Sequence, residues 1–357
     1  MSQESFATLA GSIVQPSEVI GDEARHLHDR LTKPRGSLGF LETLGVQLSA
    51  IARICPPPVP EPVTICVFAG DHGVVDAGVT PWPKEVTAQM VANFCADGAA
   101  INVLARHVDA TVVVVDVGVA TAIPTESSTL VRRNVAKGTA NLALGPAMTM
   151  AQACAAIDVG VEIAKEAIDQ GARLLVTGDM GIGNTTPSAA LIAAFTKTDP
   201  RSVTGRGTGI DDEMLRLKTS VIENALTRLC TNATPLEVLA EVGGLEIAAL
   251  AGFIVAGAAA RIPVVIDGVI SVAAALVAQA LAPGSTAYLI AGHRSSEPGA
   301  SAGLHHLGVT PILDLGLRLG EGSGAALAVP VVQAAAKILR EMATFDSAGV
   351  TDKDESP

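Results

Sequence analysis

Aromatic side chains are nearly missing from this chain, forming 3% of its 357 residues with one tryptophan and one tyrosine. Its 49% apolar content is therefore mostly Ala, Val, Leu and Ile, accompanied by 35 glycines. That composition suits tightly packed helices over a parallel sheet. Charge is also scarce, at 17%, and positive charge is in deficit, the formal net charge being −12. A non-specific nucleic-acid binder needs a basic face, so that class is excluded. Cysteine occurs five times (55, 66, 95, 154, 230) with no C-x-x-C pair and no metal-ligand spacing. Scattered, odd-numbered thiols read as reduced, intracellular and mostly buried. The N-terminal stretch MSQESFATLAGSIVQ lacks a basic region before an apolar run, so no signal peptide is expected. No long hydrophobic run exists either: Ile247–Ala260 is 14 residues and Arg261 follows at once, too short for a bilayer span. The expectation is a cytoplasmic protein with no membrane or nucleic-acid partner.

What is present is a rhythm. VTICVFAGDHG (63–73), TVVVVDVG (111–118), RLLVTGDMG (173–181), PVVIDG (263–268) and AYLIAGH (287–293) each pass from β-branched residues into Gly, Asp or His. Continuous apolar runs mark strands buried on both faces, as in a parallel sheet. Between them lie helical stretches such as PKEVTAQMVANF, MAQACAAIDVGVEIAKEAIDQG, TPSAALIAAF and GLEIAALAGFIVAGAAA. The alternation predicts right-handed βαβ units in a doubly wound, mostly parallel sheet with a three-layer α/β/α architecture. Ligands in such folds bind beyond the carboxyl ends of the strands, where the Gly/Asp/His punctuation falls. Residues 1–54 read as amphipathic helices and CPPPVPEP (55–62) as a stiff linker. The chain turns helical again through AALAVPVVQAAAKILREMATF, and the tail DKDESP reads as disordered. We therefore expect a large α/β domain over 61–310 and a small helical subdomain from 1–60 plus 311–357.

Several stretches could carry chemistry. In GDMGIGNTTPSAALIAAF (178–195) a strand runs into a glycine-rich loop, with Thr186 as the expected N-cap ahead of Pro187. Free amides at that helix start, with Gly181 and Gly183 allowing close approach, would cradle a phosphate. The bland reading is a tight turn, and the spacing matches neither the dinucleotide nor the triphosphate fingerprint. GRGTGIDDEMLRLK (205–218) offers Arg206 and Lys218 for an anion, or else a plain surface helix. AGHRSSEPGA (291–300) ends a strand with His293, Arg294, Ser295 and Ser296, but no G-x-S-x-G elbow supports a hydrolase. Asp71 and His72 in AGDHGV are adjacent on a strand end and should point apart, which fits a capped turn better than a metal site. Last, RLGEGSGAALAVP sets a lone carboxylate, Glu321, between glycines and ahead of a run of small apolar residues. Such surroundings penalise its charged form, which makes its presence a question.

Together these stretches resemble the nicotinate-nucleotide–dimethylbenzimidazole phosphoribosyltransferases, which make the lower-ligand nucleotide of cobalamin. The match also runs through LTKPRGSLGFLE, KGTANLALGPAMT, IPVVIDGVIS, HLGVTPILDL and EMATF, in order along most of the chain. The resemblance implies transfer of the phosphoribosyl group of nicotinate mononucleotide to 5,6-dimethylbenzimidazole, releasing nicotinate and inverting the anomeric carbon. It implies that Glu321 is the base that takes the benzimidazole proton, and glycine and alanine neighbours agree by raising its pKa. It assigns Asp179, Gly181, Gly183, Asn184, Thr185, Lys218 and Ser295 to the nucleotide and phosphate, and Thr80, Trp82 and Gln89 to the base. Nicotinate leaves from a cationic ring and so needs no protein acid; with no pyrophosphate involved and no acidic metal-binding motif in the sequence, no cofactor and no metal ion is expected. A homodimer acting on small molecules is implied.

Two departures stand out. The glycine loop of the family commonly reads GEMGIGN, whereas Asp179 here is one methylene shorter. The base-pocket stretch commonly reads GVSAYPKEVT, whereas this chain has Thr80 for Ser and Trp82 for Tyr. A larger ring without a phenolic oxygen implies a pocket of altered shape. Two other readings stand beside the enzyme: a non-catalytic nucleotide- or benzimidazole-binding protein, and a related transferase or nucleosidase with another acceptor.

Overall fold

The computed structural model describes residues 3–351; the tail DKDESP lies outside the described residues. Six strands form one wholly parallel sheet: β1 (Val63–Gly70), β2 (Ala110–Gly118), β3 (Leu130–Arg132), β4 (Leu174–Met180), β5 (Val264–Ile266) and β6 (Leu289–Ala291). Their order is β3-β2-β1-β4-β5-β6. The chain winds outward from β1 to β3, then crosses to the far side of β1 and winds outward again. The switch between β1 and β4 opens a crevice at their carboxyl ends, where doubly wound folds place ligands.

Period-two alternation along each strand divides the core. Val63, Ile65, Val67 and Ala69 of β1 join one apolar cluster, with helices Phe40–Ala52, Glu85–Cys95, Ala100–His107 and Ser323–Glu341. Cys66 and Phe68 point the other way, into a cluster built by Met150–Asp169, Thr185–Thr196, Leu245–Ala259 and Val269–Leu281. This is the expected three-layer arrangement. Strand β3 is an addition: three residues on the sheet edge, without the apolar run that marks the others.

Helix Leu245–Ala259 is apolar on every side because it is covered on every side. It lies between the sheet and helix Met150–Asp169, and the two helices touch backbone to backbone. A methyl on Gly160 would stand 1.7 Å from the Ala249 carbonyl oxygen, and one on Gly252 2.0 Å from that of Ile157. Only glycine permits that approach. The one charged residue of this helix, Glu246, is fully buried and faces His72. Among the described residues no helix is long and apolar enough to cross a membrane.

Candidate functional site

Beyond the carboxyl ends of β4, β5 and β6 lies a cleft of about 370 Å³. Its lining includes Asp179 to Ile182, Asn184 and Thr185 after β4, and Gly268 to Ile270 after β5. His293, Ser295 and Glu297 after β6 complete the strand ends, and Arg318 to Glu321 close one side. Trp82, Val86 and Met90 supply an apolar wall. Strands β4, β5 and β6 therefore deliver their terminal loops to one place.

The loop after β4 is tied down from several directions. The Ile182 amide donates to Thr87 Oγ1 at 3.1 Å, Asn184 N–H donates to Gly181 O at 3.1 Å, and Thr186 N–H to Gly183 O at 3.0 Å. The helix begins at Thr185, with Asn184 as its cap residue, so Thr186 is not the N-cap expected from the sequence. Its side chain is buried inside the first turn. Pro187 stands two positions further in than expected, still within the first turn, where a missing N–H costs nothing. The Lys218 ammonium, 1% exposed, donates to Thr185 Oγ1 and Gly205 O, both at 2.9 Å. Burial lowers its pKa to about 8. Lys218 thus stands behind the cleft wall and does not line it. Arg206 turns away to Asp212 and to Ile210 O.

A second glycine loop is clamped across its peptide. Gly207 N–H donates to Glu297 Oε1 at 2.8 Å, and Arg318 Nη1 donates to Gly207 O at 2.9 Å. Ser295 Oγ accepts the Glu297 amide at 3.3 Å. Arg318, Glu297 and Gly207 were not singled out from the sequence. They come from three distant segments, so no local spacing announces them.

Glu321 is 5% exposed and adopts φ +65°, between Gly320 at +82° and Gly322 at +91°. A side chain in the left-handed region costs roughly 1–2 kcal/mol, so something must hold it there. Its amide donates to Asp179 O at 3.3 Å, and its Oε2 accepts from Ile101 N at 3.2 Å, at the start of helix Ala100–His107. The loop also presses on β4: a methyl on Gly178 would lie 2.5 Å from Glu321 O. Burial raises the Glu321 pKa, the Ile101 amide pulls it down, and the Asp267 carboxylate raises it further; the net shift is upward. Asp179 is pushed well above the ordinary range, by burial first and then by Asp267 and Glu246. Its Oδ2 accepts from Asn184 Nδ2 at 3.0 Å, while Oδ1 has no partner.

The base-binding residues expected from the sequence divide. Trp82, 47% exposed, lines the cleft together with Val86 and Met90, which follow at four-residue spacing on one helical face. Gln89 is exposed on another face and Thr80 lies in the approach loop; neither lines the cleft. Thr80 Oγ1 accepts the Trp82 amide at 3.3 Å. Beneath the glycine loop, His72 Nε2 meets Glu246 Oε1 at 2.8 Å, whereas Asp71 Oδ2 accepts from Ala120 N at 2.8 Å. The two adjacent residues do point to separate partners.

Comparison with known proteins agrees with this geometry. The family described as phosphoribosyltransferase matches residues 13–350. A nicotinate-nucleotide–dimethylbenzimidazole phosphoribosyltransferase of Salinispora tropica is 56% identical over 344 residues, covering 92% of this chain and 94% of its own. One from Chloroflexus aurantiacus is 55% identical over 331 residues, with the same coverages. The crystal structure of the enzyme so named from Thermus thermophilus matches at a TM-score of 0.90 and 48% identity, covering 94% of this chain and 99% of that one. The chain belongs to the nicotinate-nucleotide–dimethylbenzimidazole phosphoribosyltransferase family.

Proposed function

We propose that this protein transfers the phosphoribosyl group of nicotinate mononucleotide to 5,6-dimethylbenzimidazole or a related base. The products are nicotinate and α-ribazole 5′-phosphate, made with inversion at the anomeric carbon for the nucleotide loop of cobalamin. The observation that carries the reading is Glu321: a buried carboxylate with a raised pKa, on the wall of a cleft that also holds an apolar face. One benzimidazole nitrogen attacks the anomeric carbon as the bond to nicotinate breaks. The electron pair of that bond neutralises the pyridinium ring, so the leaving group needs no protein acid. The proton on the other benzimidazole nitrogen passes to Glu321. The remaining acceleration comes from holding two substrates in line.

The loop 178–184 and the start of helix Thr185–Thr196 support a phosphate site. Asn184 and Thr186 use their amides within the turn and Pro187 has none, which leaves the Thr185 amide at the cleft for an anion; Gly183 shapes the turn without lining the cleft. Lys218 acts on that site through Thr185, and Ser295 lines the same cleft. Trp82, with Val86 and Met90, receives the flat face of the base. Thr80 contributes by holding the Trp82 amide. Gln89 has no such support. The helices of 1–60 and 311–357 pack on one another, which supports reading them as a small subdomain beside 61–310. Leu44, Leu48 and Val329 nevertheless share one apolar cluster with Ile65 of the sheet. A cytoplasmic homodimer that needs no cofactor completes the reading.

Incubation with nicotinate mononucleotide, with and without dimethylbenzimidazole, tests it. Release of nicotinate only in the presence of the base, with an α-anomeric product by NMR, is the expected result. Release without the base makes the protein a nucleosidase, and no release makes it a binder.

A further inference from the structure

We propose that Asp267, at the end of β5, is a positioning residue that fixes the strained Glu321 loop, with His293 as its buried partner. The inference rests on Glu321 being the base. Residues 320–322 have left-handed backbones in succession, and the helix that follows, Ser323–Glu341, has Gly322 at its cap, with no side chain to satisfy the first amides. Asp267 supplies what the cap lacks. Its Oδ1 accepts from Ala325 N at 2.9 Å and its Oδ2 from Gly322 N at 3.3 Å. Among the described hydrogen bonds, it is the only side chain of another element that accepts from this loop and helix start. Other ties join the loop to its surroundings: the Ile101 amide to Glu321 Oε2 at 3.2 Å, Arg318 Nη1 to Gly207 O at 2.9 Å, and the long Glu321 amide bond to Asp179 O, with Ser323 closing on Gly320 O inside the loop.

Asp267 is itself held firmly. Its amide donates to Thr177 Oγ1 at 3.1 Å, and that hydroxyl lies 2.8 Å from Ser271 Oγ. His293 Nε2 stands 3.3 Å from Asp267 Oδ1, with both side chains buried. The helix start lies flat against this imidazole: a methyl on Gly324 would come within 2.0 Å of His293 Cδ2. Burial lowers the His293 pKa, but the close Asp267 carboxylate, with the Arg294 backbone and Asp314, outweighs it and the net shift is upward. The Asp267 side chain thus points at a helix N-terminus, where acceptor oxygens are favoured. Asp267 does not line the cleft, so its effect on the reaction passes through Glu321. The groups around Glu321 are the Ile101 amide, Asp267 and the Asp179 carboxyl, with His293 and Glu246 behind them.

The test compares wild type, Glu321→Gln and Asp267→Asn as full-length chains, measuring kcat against pH and KM for both substrates. Asp267→Asn keeps the shape and removes the charge. Its kcat is expected to fall by roughly 10–100-fold, the scale of a misplaced reacting group, with little change in the nucleotide KM. The acid limb of its kcat profile moves to lower pH, because the charge that raised the Glu321 pKa is gone. A change that only loosened the fold would leave the limb in place. If the Asn chain does not fold, Asp267→Glu carries the test: kcat falls while the retained charge leaves the limb at the wild-type pH. Wild-type kcat in a folded Asp267 variant, or a slow Asn variant with an unshifted limb, overturns the inference. Wild-type turnover in Glu321→Gln overturns the base assignment, and this inference with it.

Discussion

Asp179 and Glu321 line one cleft and are joined by a backbone hydrogen bond, yet their surroundings treat their protons differently. Asp179 is buried in the cleft wall, accepts one side-chain hydrogen bond from Asn184, and has Asp267, Glu246 and Glu321 around it. Burial and every one of those carboxylates disfavour a further charge, which pushes the Asp179 pKa well above the ordinary range. Glu321 is raised less, because the first amide-rich turn of helix Ala100–His107 partly offsets its burial. It can therefore ionise and later accept a proton. Two carboxyl groups of one site acquire two roles from their environments. On the reading proposed above Glu321 is the base, and the more strongly raised Asp179 is not.

Four substitutions can break or sharpen that contrast. The largest effect is expected for Glu321→Gln, which keeps size and hydrogen bonding but takes no proton; kcat should fall by roughly 10²–10⁴-fold in steady-state assays. Gly181→Val comes next. A Cβ there would lie 2.4 Å from Gly70 O, so the loop that carries Asp179 must shift. Overpacking of this kind costs about 1–3 kcal/mol, which thermal denaturation would register, together with weaker nucleotide binding by calorimetry. A folded Gly181→Val chain with normal binding would separate this loop from the nucleotide site. Trp82→Ala removes a stacking surface worth about 0.5–1.5 kcal/mol, so the KM for the base is expected to rise up to about tenfold while that for the nucleotide holds. As the only tryptophan, Trp82 also gives a fluorescence change on titration with dimethylbenzimidazole. The smallest effect belongs to Asp179→Asn. Asparagine matches the shape of a protonated aspartic acid, so kcat is expected to stay within about tenfold of wild type, unlike the Gln variant at position 321. A loss as large as that of Glu321→Gln would show that Asp179 works as a charge.

Much of this site could be read from the chain before any coordinates. Glycines flanking a lone carboxylate marked Glu321, and GDMGIGN marked the β4 loop, because both signals are local and sequential. Five strands announced themselves as apolar runs, while Leu130–Arg132 did not, being three edge residues with no burial pattern. The Trp82 wall was half legible. Its position was clear, but which residues of the next helix share its face depends on how that helix docks, and docking selects Val86 and Met90 over Gln89. The roles of Arg318, Glu297 and Asp267, and of His293 although its strand end stands out in the sequence, were hidden for a different reason. Each gains its meaning from a partner in another segment: Gly207 for the first two, the Glu321 loop and the helix start after it for the last two. No pattern of spacing carries that information. Lys218 was placed in the right region by its glycine neighbourhood, though it reaches the cleft only through Thr185.

The account stands most directly on kcat measured against pH with both substrates saturating, in wild type and in Glu321→Gln. Saturation confines the profile to groups of the bound complex, so free substrate does not contribute a limb. The wild-type curve is predicted to lose activity on the acid side, with a midpoint above the ordinary glutamate value of 4.5, because burial and Asp267 hold the Glu321 pKa up. The residual rate of the Gln chain is predicted to lack that limb. The same limb in both chains would assign the proton to another group and contradict the central claim.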